Sequence, residues 1–416
     1  LTCCFFNQYR LWKWRKNVDV LVLNTAVVDF RRDDFDFADK LVGRGGLAKC
    51  RPQDRPGYTQ QQLADWIDQG CAAAGGPGNC APLIAKSGLK VAVAVNLGKG
   101  DCDGLDAPGR FFHDVMTANN VDMSAVFVHP ELPTGTTYIH NAAGAERGGI
   151  AYFADANDDF DFEIFKKAVE RLSPKIVYYM YSGLSKRGDA NDGRDLAQFM
   201  KWCTGRGIVT IADSSTLTPN PEQVIRSGKP VPAYRLLEPL MPELDVFFTS
   251  SDEAKMIENT LSGPRKWDQF SENENNMHFL EFLTEKFWHA RGRTSVFGVT
   301  VSDGAYEKHI SPNGKISGTA RVESRFMAGG VIDLVGAGDS FRAGLISYMG
   351  HNLEQFQKGS MNFTEAVQMA NLFAAIYIKS PLTDRHNNIR NYKKMLEIVH
   401  SSVTYPNFES LKNALG

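Results

Sequence analysis

At 416 residues the chain is too long for a small disulfide-stapled module and short for three ordinary domains. It is 43% hydrophobic and 23% charged, enough to bury a sizeable core. Its 46 Lys plus Arg against 48 Asp plus Glu give a formal charge of -2, which argues against a nucleic-acid binder. Thirty-seven Gly and 18 Pro, clustered rather than periodic, point to a loop-rich α/β enzyme more than to a helical bundle. The seven cysteines (Cys3, Cys4, Cys50, Cys71, Cys80, Cys102 and Cys203) form no CxxC pair and no zinc or disulfide spacing. Thiols in a reducing compartment are expected. The opening LTCCFFNQYRLWKWRKN mixes basic and aromatic residues without the order of a signal peptide. It reads as an N-terminal arm, residues 1–17, on a cytoplasmic protein, and no run of about 18 apolar residues suggests a membrane span.

In chain order, the near-continuous apolar run from Val18 to Phe30 predicts a buried parallel strand leading into a functional loop. A charged, glycine-rich stretch follows to Gly57. Tyr58 to Gln69 and Asn79 to Lys86 read as helices, the second ended by Gly88, and Val91 to Val95 as another buried strand. Ala125 to His129 and Thr136 to His140, separated by PELPTG, predict an antiparallel pair. Further on, Lys175 to Tyr181, Gly207 to Asp213, Asp245 to Thr249 and Thr294 to Val301 are apolar runs of strand length. Enough chain for a helix separates each from the next, the signature of a mostly parallel sheet. Asn259 to Asn276 reads as a surface insertion. Near the end, Asn362 with Glu365 marks a helix start, and Ala366, Ala370 and Tyr377 recur on one face.

The sharpest chemical signal is GGVIDLVGAGDSFRAGLISYMG. A short approach, Val331 to Leu334, leads into the tight turn Gly336-Ala337-Gly338 and then a helix with Phe341 and Leu345 on its inward stripe. Small residues leave the backbone amides of 336–338 free to converge at the helix N-terminus, a nest for phosphate or developing phosphoryl charge. Asp339 stands in the first helical turn beside it. A carboxylate there also suits the helix dipole, so an ordinary N-terminal acid is the plain alternative. Phosphoryl transfer needs both a base for the acceptor hydroxyl and donors for the migrating charge.

Here the chain resembles the ribokinase-like family of carbohydrate and nucleoside kinases, of the phosphofructokinase-B type. The family's Asp-Thr-x-Gly-Ala-Gly-Asp run stands as Asp333-Leu334-Val335-Gly336-Ala337-Gly338-Asp339, with Leu334 in place of Thr. The resemblance makes Asp339 the base and Gly336, Ala337 and Gly338 the anion hole. The Leu bears on a local hydrogen bond and on the neighbouring loop, where family members can hold a monovalent cation (K+). Gly75-Gly76-Pro77-Gly78-Asn79 matches the glycine pair and Asn that bind substrate, and Asp29 matches the early substrate-binding Asp. Gly98, Gly100, Asp101 and Gly104 match the next loop. Thr134-Gly135-Thr136-Thr137 agrees with the lid turn, which brings in Thr136, and Arg147 falls where a lid Arg meets substrate.

The family's Asn-x-x-Glu appears as Ser250-Ser251-Asp252-Glu253, so Glu253 is implied as the residue that orients Mg2+ and Ser250 as part of the nucleotide site. Thr300 and Gly304 match the nucleotide loop, Ser302 replacing a usual Gly, and Asn371 matches a position lining the adenine pocket. The family's Asp-x-Asn has become Asp213-Ser214-Ser215. These motifs span residues 29 to 371 in family order.

The resemblance implies a ribokinase-like three-layer α/β sandwich: a mostly parallel central sheet, helices on both faces, and a small β lid. The expected core is 18–30, 56–124 and 161–416, with 31–55 and 125–160 as the lid, whose exposed sheet would permit a homodimer. The implied activity is ATP-dependent phosphorylation of a sugar or sugar-acid hydroxyl, of the fructokinase, ribokinase or 2-keto-3-deoxygluconate kinase kind. Two alternatives stay open: an adenosine-like nucleoside kinase, and a non-catalytic sugar or nucleotide sensor on the same scaffold. A dinucleotide dehydrogenase is disfavoured, and a P-loop Gly-Lys-Ser/Thr is absent.

Overall fold

Residues Asn24 and Thr25 decide how the chain starts. Both have positive φ (63° and 47°), a conformation that is an outlier for a β-branched residue. Their side chains are held in place: Asn24 Nδ2 donates to Tyr179 Oη at 2.8 Å and Thr25 Oγ1 to the Met180 carbonyl at 3.2 Å. The apolar run that reads as one strand is therefore two, β1 (Val20–Leu23) and β2 (Val27–Arg32), and they enter different sheets. The structure, a computed structural model, describes residues 17–43, 45–100, 104–140, 148–288, 291–327 and 329–416.

The remaining strands are β3 (Leu47–Lys49), β4 (Ala72–Gly75), β5 (Val91–Ala94), β6 (Asn96–Gly98), β7 (Phe127–His129), β8 (Gly135–His140) and β9 (Ile150–Phe153). They continue with β10 (Ile176–Ser182), β11 (Val209–Ser214), β12 (Val246–Ser250), β13 (Ser295–Val301), β14 (Gly304–Ile310) and β15 (Ala320–Glu323). The main sheet has eight strands in the order β15-β14-β13-β12-β11-β10-β1-β5. From β5 to β13 every pairing is parallel, and β14 and β15 close the edge antiparallel.

Alternate residues of the central strands feed two separate cores. Val20 and Val22 pack with helices Pro77–Lys86, Ala337–His351 and Phe363–Lys379, while Leu21 and Leu23 pack with helices Phe162–Leu172, Arg194–Thr204 and Ser251–Leu261. The fold is thus a three-layer α/β sandwich, with strands buried on both faces, as the apolar runs predicted. Helix Phe363–Lys379 begins at Asn362, whose Oδ1 accepts from the Glu365 amide at 3.2 Å.

A second, five-stranded sheet has the order β3-β9-β8-β2-β4. β2 and β4 belong to it, although the sequence reading assigned residues up to 30 and 56–124 to the core. The predicted antiparallel pair of 125–129 with 136–140 does not form. β7 pairs parallel with β6, and β8 pairs parallel with β2 and antiparallel with β9. The connection explains the divergence: His129 Nδ1 accepts the amides of Glu131 and Leu132 and ends β7. Asp106 then captures Thr134, through its amide at 2.7 Å and its hydroxyl at 2.6 Å.

The stretch 259–276 does lie largely at the surface, with Asp268–Glu274 exposed, but it is a connection between two helices rather than a separate insertion. It holds the end of helix Ser251–Leu261, a short turn at Trp267–Gln269 and the start of helix Glu272–Phe287. Asn259 and Asn275 are buried and bonded, while Asn273 is exposed: Asn259 Oδ1 accepts from Trp267 Nε1 at 3.0 Å, and Asn275 Nδ2 donates to the Trp267 carbonyl at 3.0 Å. Among the described residues the cysteines Cys50, Cys71, Cys80 and Cys203 are free thiols, and no helix is long and apolar enough to cross a membrane.

Candidate active site

The carboxyl ends of β1, β10, β11 and β12 open into a cleft of about 1890 Å³ between the two sheets. Open α/β sheets take ligands there, and the chain reverses direction across the sheet beside β1, where β5 lies on one side and β10 on the other. At the floor stands the N-terminus of helix Ala337–His351. Gly336 caps it in the left-handed conformation (φ 85°), and a Cβ there would lie 2.8 Å from the Tyr377 ring and 3.1 Å from Asn79. A Cβ on Gly338 would lie 2.9 Å from Arg342 Nη1. Of the three amides expected to converge, that of Ala337 is already bonded to the Leu334 carbonyl at 3.1 Å. That leaves the Gly336 and Gly338 amides as candidate donors, a narrower cradle than the motif suggests. Leu334 is 39% exposed and stands at the cleft rim.

Asp339 is buried, one turn before Arg342, whose Nη1 lies 3.8 Å from its Oδ1. Its Oδ2 accepts from Tyr181 Oη at 2.5 Å and from Asn79 Nδ2 at 2.9 Å. Asn79 is oriented in turn by Tyr377, whose Oη donates to Asn79 Oδ1 at 2.5 Å. Burial raises the pKa of Asp339 above the usual carboxylate range, against Arg342 and the two donors, which pull it down. Arg342 also bonds the Phe248 carbonyl at 2.8 Å and pairs with Asp213 Oδ2 at 3.2 Å. Burial pushes the Asp213 carboxyl up to about 6, and Asp213 Oδ1 accepts the Tyr181 amide at 2.7 Å. That bond helps hold Tyr181 at φ 61°, an uncommon state for an aromatic residue and one that costs roughly 1–3 kcal/mol.

On the small-sheet side, Asp29 of β2 is buried and its Oδ1 accepts from Thr137 Oγ1 at 2.6 Å. Gly75 sits against it: a Cβ there would lie 2.6 Å from both Asp29 carboxylate oxygens. Gly76 (φ 56°) lets the chain pass the Thr25 carbonyl, 2.1 Å from where its Cβ would be. Thr136 does not join this group. Successive residues of a strand face opposite sides, and its side chain meets Arg55, at 3.5 Å, and Tyr138 instead. Thr137 is the one that lines the cleft. Arg147 and Asp101 lie outside the described residues. Gly98 and Gly100 serve packing, since Cβ atoms there would strike the Thr134 amide and the Leu105 carbonyl.

Along the other half of the cleft lie Ser250, Glu253, Thr300, Gly304 and Asn371. Ser250 and Glu253 form a capping box on helix Ser251–Leu261: the Glu253 amide donates to Ser250 Oγ at 3.3 Å and the Ser250 amide to Glu253 Oε2 at 3.1 Å. Glu253 also accepts from Thr249 Oγ1 at 2.8 Å and Thr216 Oγ1 at 3.2 Å. Thr300 Oγ1 donates to the Thr249 carbonyl at 3.2 Å, and Gly304 (φ 154°) is pressed against the Val322 carbonyl. Asn371 is buried with its Nδ2 unbonded, a donor left for a ligand. Among the described residues no three acidic, His or Cys side chains cluster to cage a metal. The carboxylate of Glu253 fits a hydrated Mg2+ held chiefly by phosphate oxygens, with a water between.

The family model for pfkB family carbohydrate kinases matches residues 58–389, well over half of the chain. The chain belongs to the pfkB family of carbohydrate kinases. Solved structures of this fold agree. A probable sugar kinase from Rhizobium etli superposes with a TM-score of 0.60 at 18% identity, covering 89% of this chain and 98% of its own. An adenosine kinase from Sinorhizobium meliloti gives 0.59 at 19% identity, with 88% and 94% covered. A fructokinase with bound ATP from Xylella fastidiosa gives 0.59 at 17%, with 92% and 98% covered. No curated protein sequence matches the chain.

Sequence reasoning missed Tyr181, Arg342, Tyr377 and Thr137 in this pfkB-family site. Arg342 carried a signal, because three residues after Asp339 places it one helical turn away on the same face. Thr137 needed only the choice between two adjacent threonines, which the register of β8 against β2 makes. The two tyrosines carried none. Tyr181 reaches Asp339 across 158 residues of chain, and Tyr377 reaches Asn79 across 298.

Proposed function

We propose that this chain transfers the γ-phosphoryl group of ATP to a hydroxyl of a sugar or sugar acid, with Asp339 as the base. The observation that carries the reading is a buried carboxylate next to a glycine cradle at a helix N-terminus, both on the floor of a two-sided cleft. The acceptor hydroxyl lies beside Asp339 and gives its carboxylate a proton as the hydroxyl oxygen attacks the γ-phosphorus in line. The bond from that phosphorus to the β,γ-bridging oxygen breaks, and ADP leaves. The Gly336 and Gly338 amides meet the charge on the migrating group. A magnesium ion arriving with the nucleotide would be held by phosphate oxygens and by water ordered on Glu253, and would neutralise phosphate charge. Asp29, with Gly76 and Asn79 beside it, binds the acceptor's other hydroxyls, while Thr300, Gly304 and Asn371 flank the nucleotide.

A nucleoside acceptor is the second reading. Val27, Leu47, Ile150 and Leu184 line the acceptor end of the cleft, an apolar wall that suits a ring better than a bare sugar does. ADP release with Mg-ATP, run against sugars, sugar acids and nucleosides, separates the two. Asp339→Asn run beside the parent should lose about 10²–10⁴-fold in turnover while acceptor binding by calorimetry persists. Equal turnover in the variant would sink the assignment.

A further inference from the structure

The loop before the anion cradle is where the family resemblance leaves room for a monovalent cation. Such an ion is bound by oxygen atoms that replace its hydration shell, carbonyls and carboxylates converging on one point. Between residues 330 and 338 the only carboxylate is Asp333. Its Oδ1 accepts the Val335 amide at 2.8 Å. Its Oδ2 accepts from Arg385 Nη2 at 2.5 Å and from Arg31 Nη1. Arg385 Nη1 donates to the Val335 carbonyl at 3.2 Å. One guanidinium thus bridges the carboxylate and the carbonyl that a cation would gather, and the residues present do not fit a free ion.

The arginines are built in, not draped over the surface. Arg385 is 1% exposed and Arg31 5%. Arg31 Nη2 also lies 3.8 Å from Asp29 Oδ2, so two arginines face two aspartates and the group balances without a further positive charge. Arg385 reaches the reaction centre by two routes. The Val335 carbonyl it holds precedes Gly336, the cap of the cradle. Its guanidinium also lies 4.7 Å from the Tyr377 ring centroid, and Tyr377 orients Asn79, which bonds Asp339.

We propose that Arg385 stands in for the monovalent cation: the chain carries its own permanent positive charge beneath the anion cradle, and neither binds nor responds to K+. Arginine suits the task because it stays charged and its fork holds two oxygens at once. Arg385 touches no substrate in this reading and is a positioning residue. The proposal concerns the site of the kinase reading, but its ion-binding half is tested without turnover.

The melting temperature of the full chain, titrated with KCl against tetramethylammonium chloride at constant ionic strength, should follow one curve for both salts. A saturable stabilisation specific to K+ in the parent protein would overturn the proposal. Arg385→Ala should melt lower, and K+ but not tetramethylammonium should restore part of the loss. In the ADP-release assay its kcat should fall at least about tenfold, with acceptor KM changing less, because the base and cradle are displaced while Asp29 keeps its bond from Thr137. An Arg385→Ala protein with the parent's stability and kcat overturns the proposal. If that variant does not fold, the parent titration alone decides. If no acceptor is turned over at all, the kinase reading fails and the melting data still stand.

Discussion

Removing one hydroxyl tests the site most sharply. Tyr181 Oη donates at 2.5 Å to the same Asp339 oxygen that takes the Asn79 amide. A hydrogen bond to a charged group contributes about 1.5–3 kcal/mol, and one pKa unit corresponds to about 1.4 kcal/mol. Tyr181→Phe should therefore raise the pKa of the base by about 1–2 units. Tyr181 is half-buried at the cleft wall, so water replaces part of the lost bond, and about one unit is the expected shift. The direction follows from which form the donor favours. Tyr181 stabilises the ionised carboxylate, and burial has already raised Asp339 above the usual range. Losing the donor moves the acid limb of kcat/KM to higher pH. On that limb activity tracks the ionised fraction, so the variant should be about tenfold slower at equal pH, with a similar plateau. ADP release measured across a pH series reads this directly. An acid limb left where it was would refute both the titration of Asp339 and its bond to Tyr181.

Thr137→Val should raise the acceptor KM by roughly tenfold or more with kcat nearly unchanged, since it removes the 2.6 Å donor to Asp29, whereas Thr136→Val should stay within about twofold. Steady-state kinetics of the pair distinguishes the two faces of β8. Arg342→Met should cost about 3–5 kcal/mol near neutral pH, because Asp213 and Asp339 are left buried without their positive partner. Burial raises both carboxyls above their unfolded values, so the native state binds protons that the unfolded chain releases, and stability falls as pH rises through the folded pKa, about 6 for Asp213. The melting deficit of Arg342→Met against the parent should therefore shrink between about pH 8 and about pH 5.5, and a deficit that widened would contradict the pairing.

The parallel sheet was legible because strands covered on both faces are apolar at every position, so their runs need no alternation to be found. What escaped was conformation that side-chain type does not encode. Asn24 and Thr25 turn the chain with positive φ though neither is glycine, and the bonds that hold the turn come from distant chain, among them those to Tyr179 and Met180, 155 residues away. In the 259–276 stretch, largely exposed as read, the two helix ends and their buried asparagines escaped for a related reason. Composition counts an asparagine as polar whether it faces water or, like Asn275, is buried and bonded to a carbonyl. Within the site, the legible part was local: glycines, a carboxylate and a helix start within a few residues. The bonds that tune the carboxylate come from β10 and from helix Phe363–Lys379, and no spacing announces them.

The departures from the family motif bear on whether the scaffold could have lost its chemistry. Ser250, where the family has Asn, still caps helix Ser251–Leu261 and locks Glu253 through reciprocal bonds, so the carboxylate stays aimed at the cleft. Leu334, in place of Thr, supplies no side-chain hydrogen bond, but the turn it leaves is pinned by Asp333 to the Val335 amide and by Arg385 to the Val335 carbonyl. A scaffold under no demand to position a base would have little reason to bury two arginines beside this turn, since a buried ion pair is no cheap route to stability. The same holds for the strained Tyr181, which persists because Asp213 fixes its amide while Asp339 takes its hydroxyl. The two arginines meet Asp333, just before the helix, and the strained Tyr181 meets Asp339, in its first turn, so both devices hold the start of one helix, an arrangement that the proposed proton transfer at Asp339 would account for.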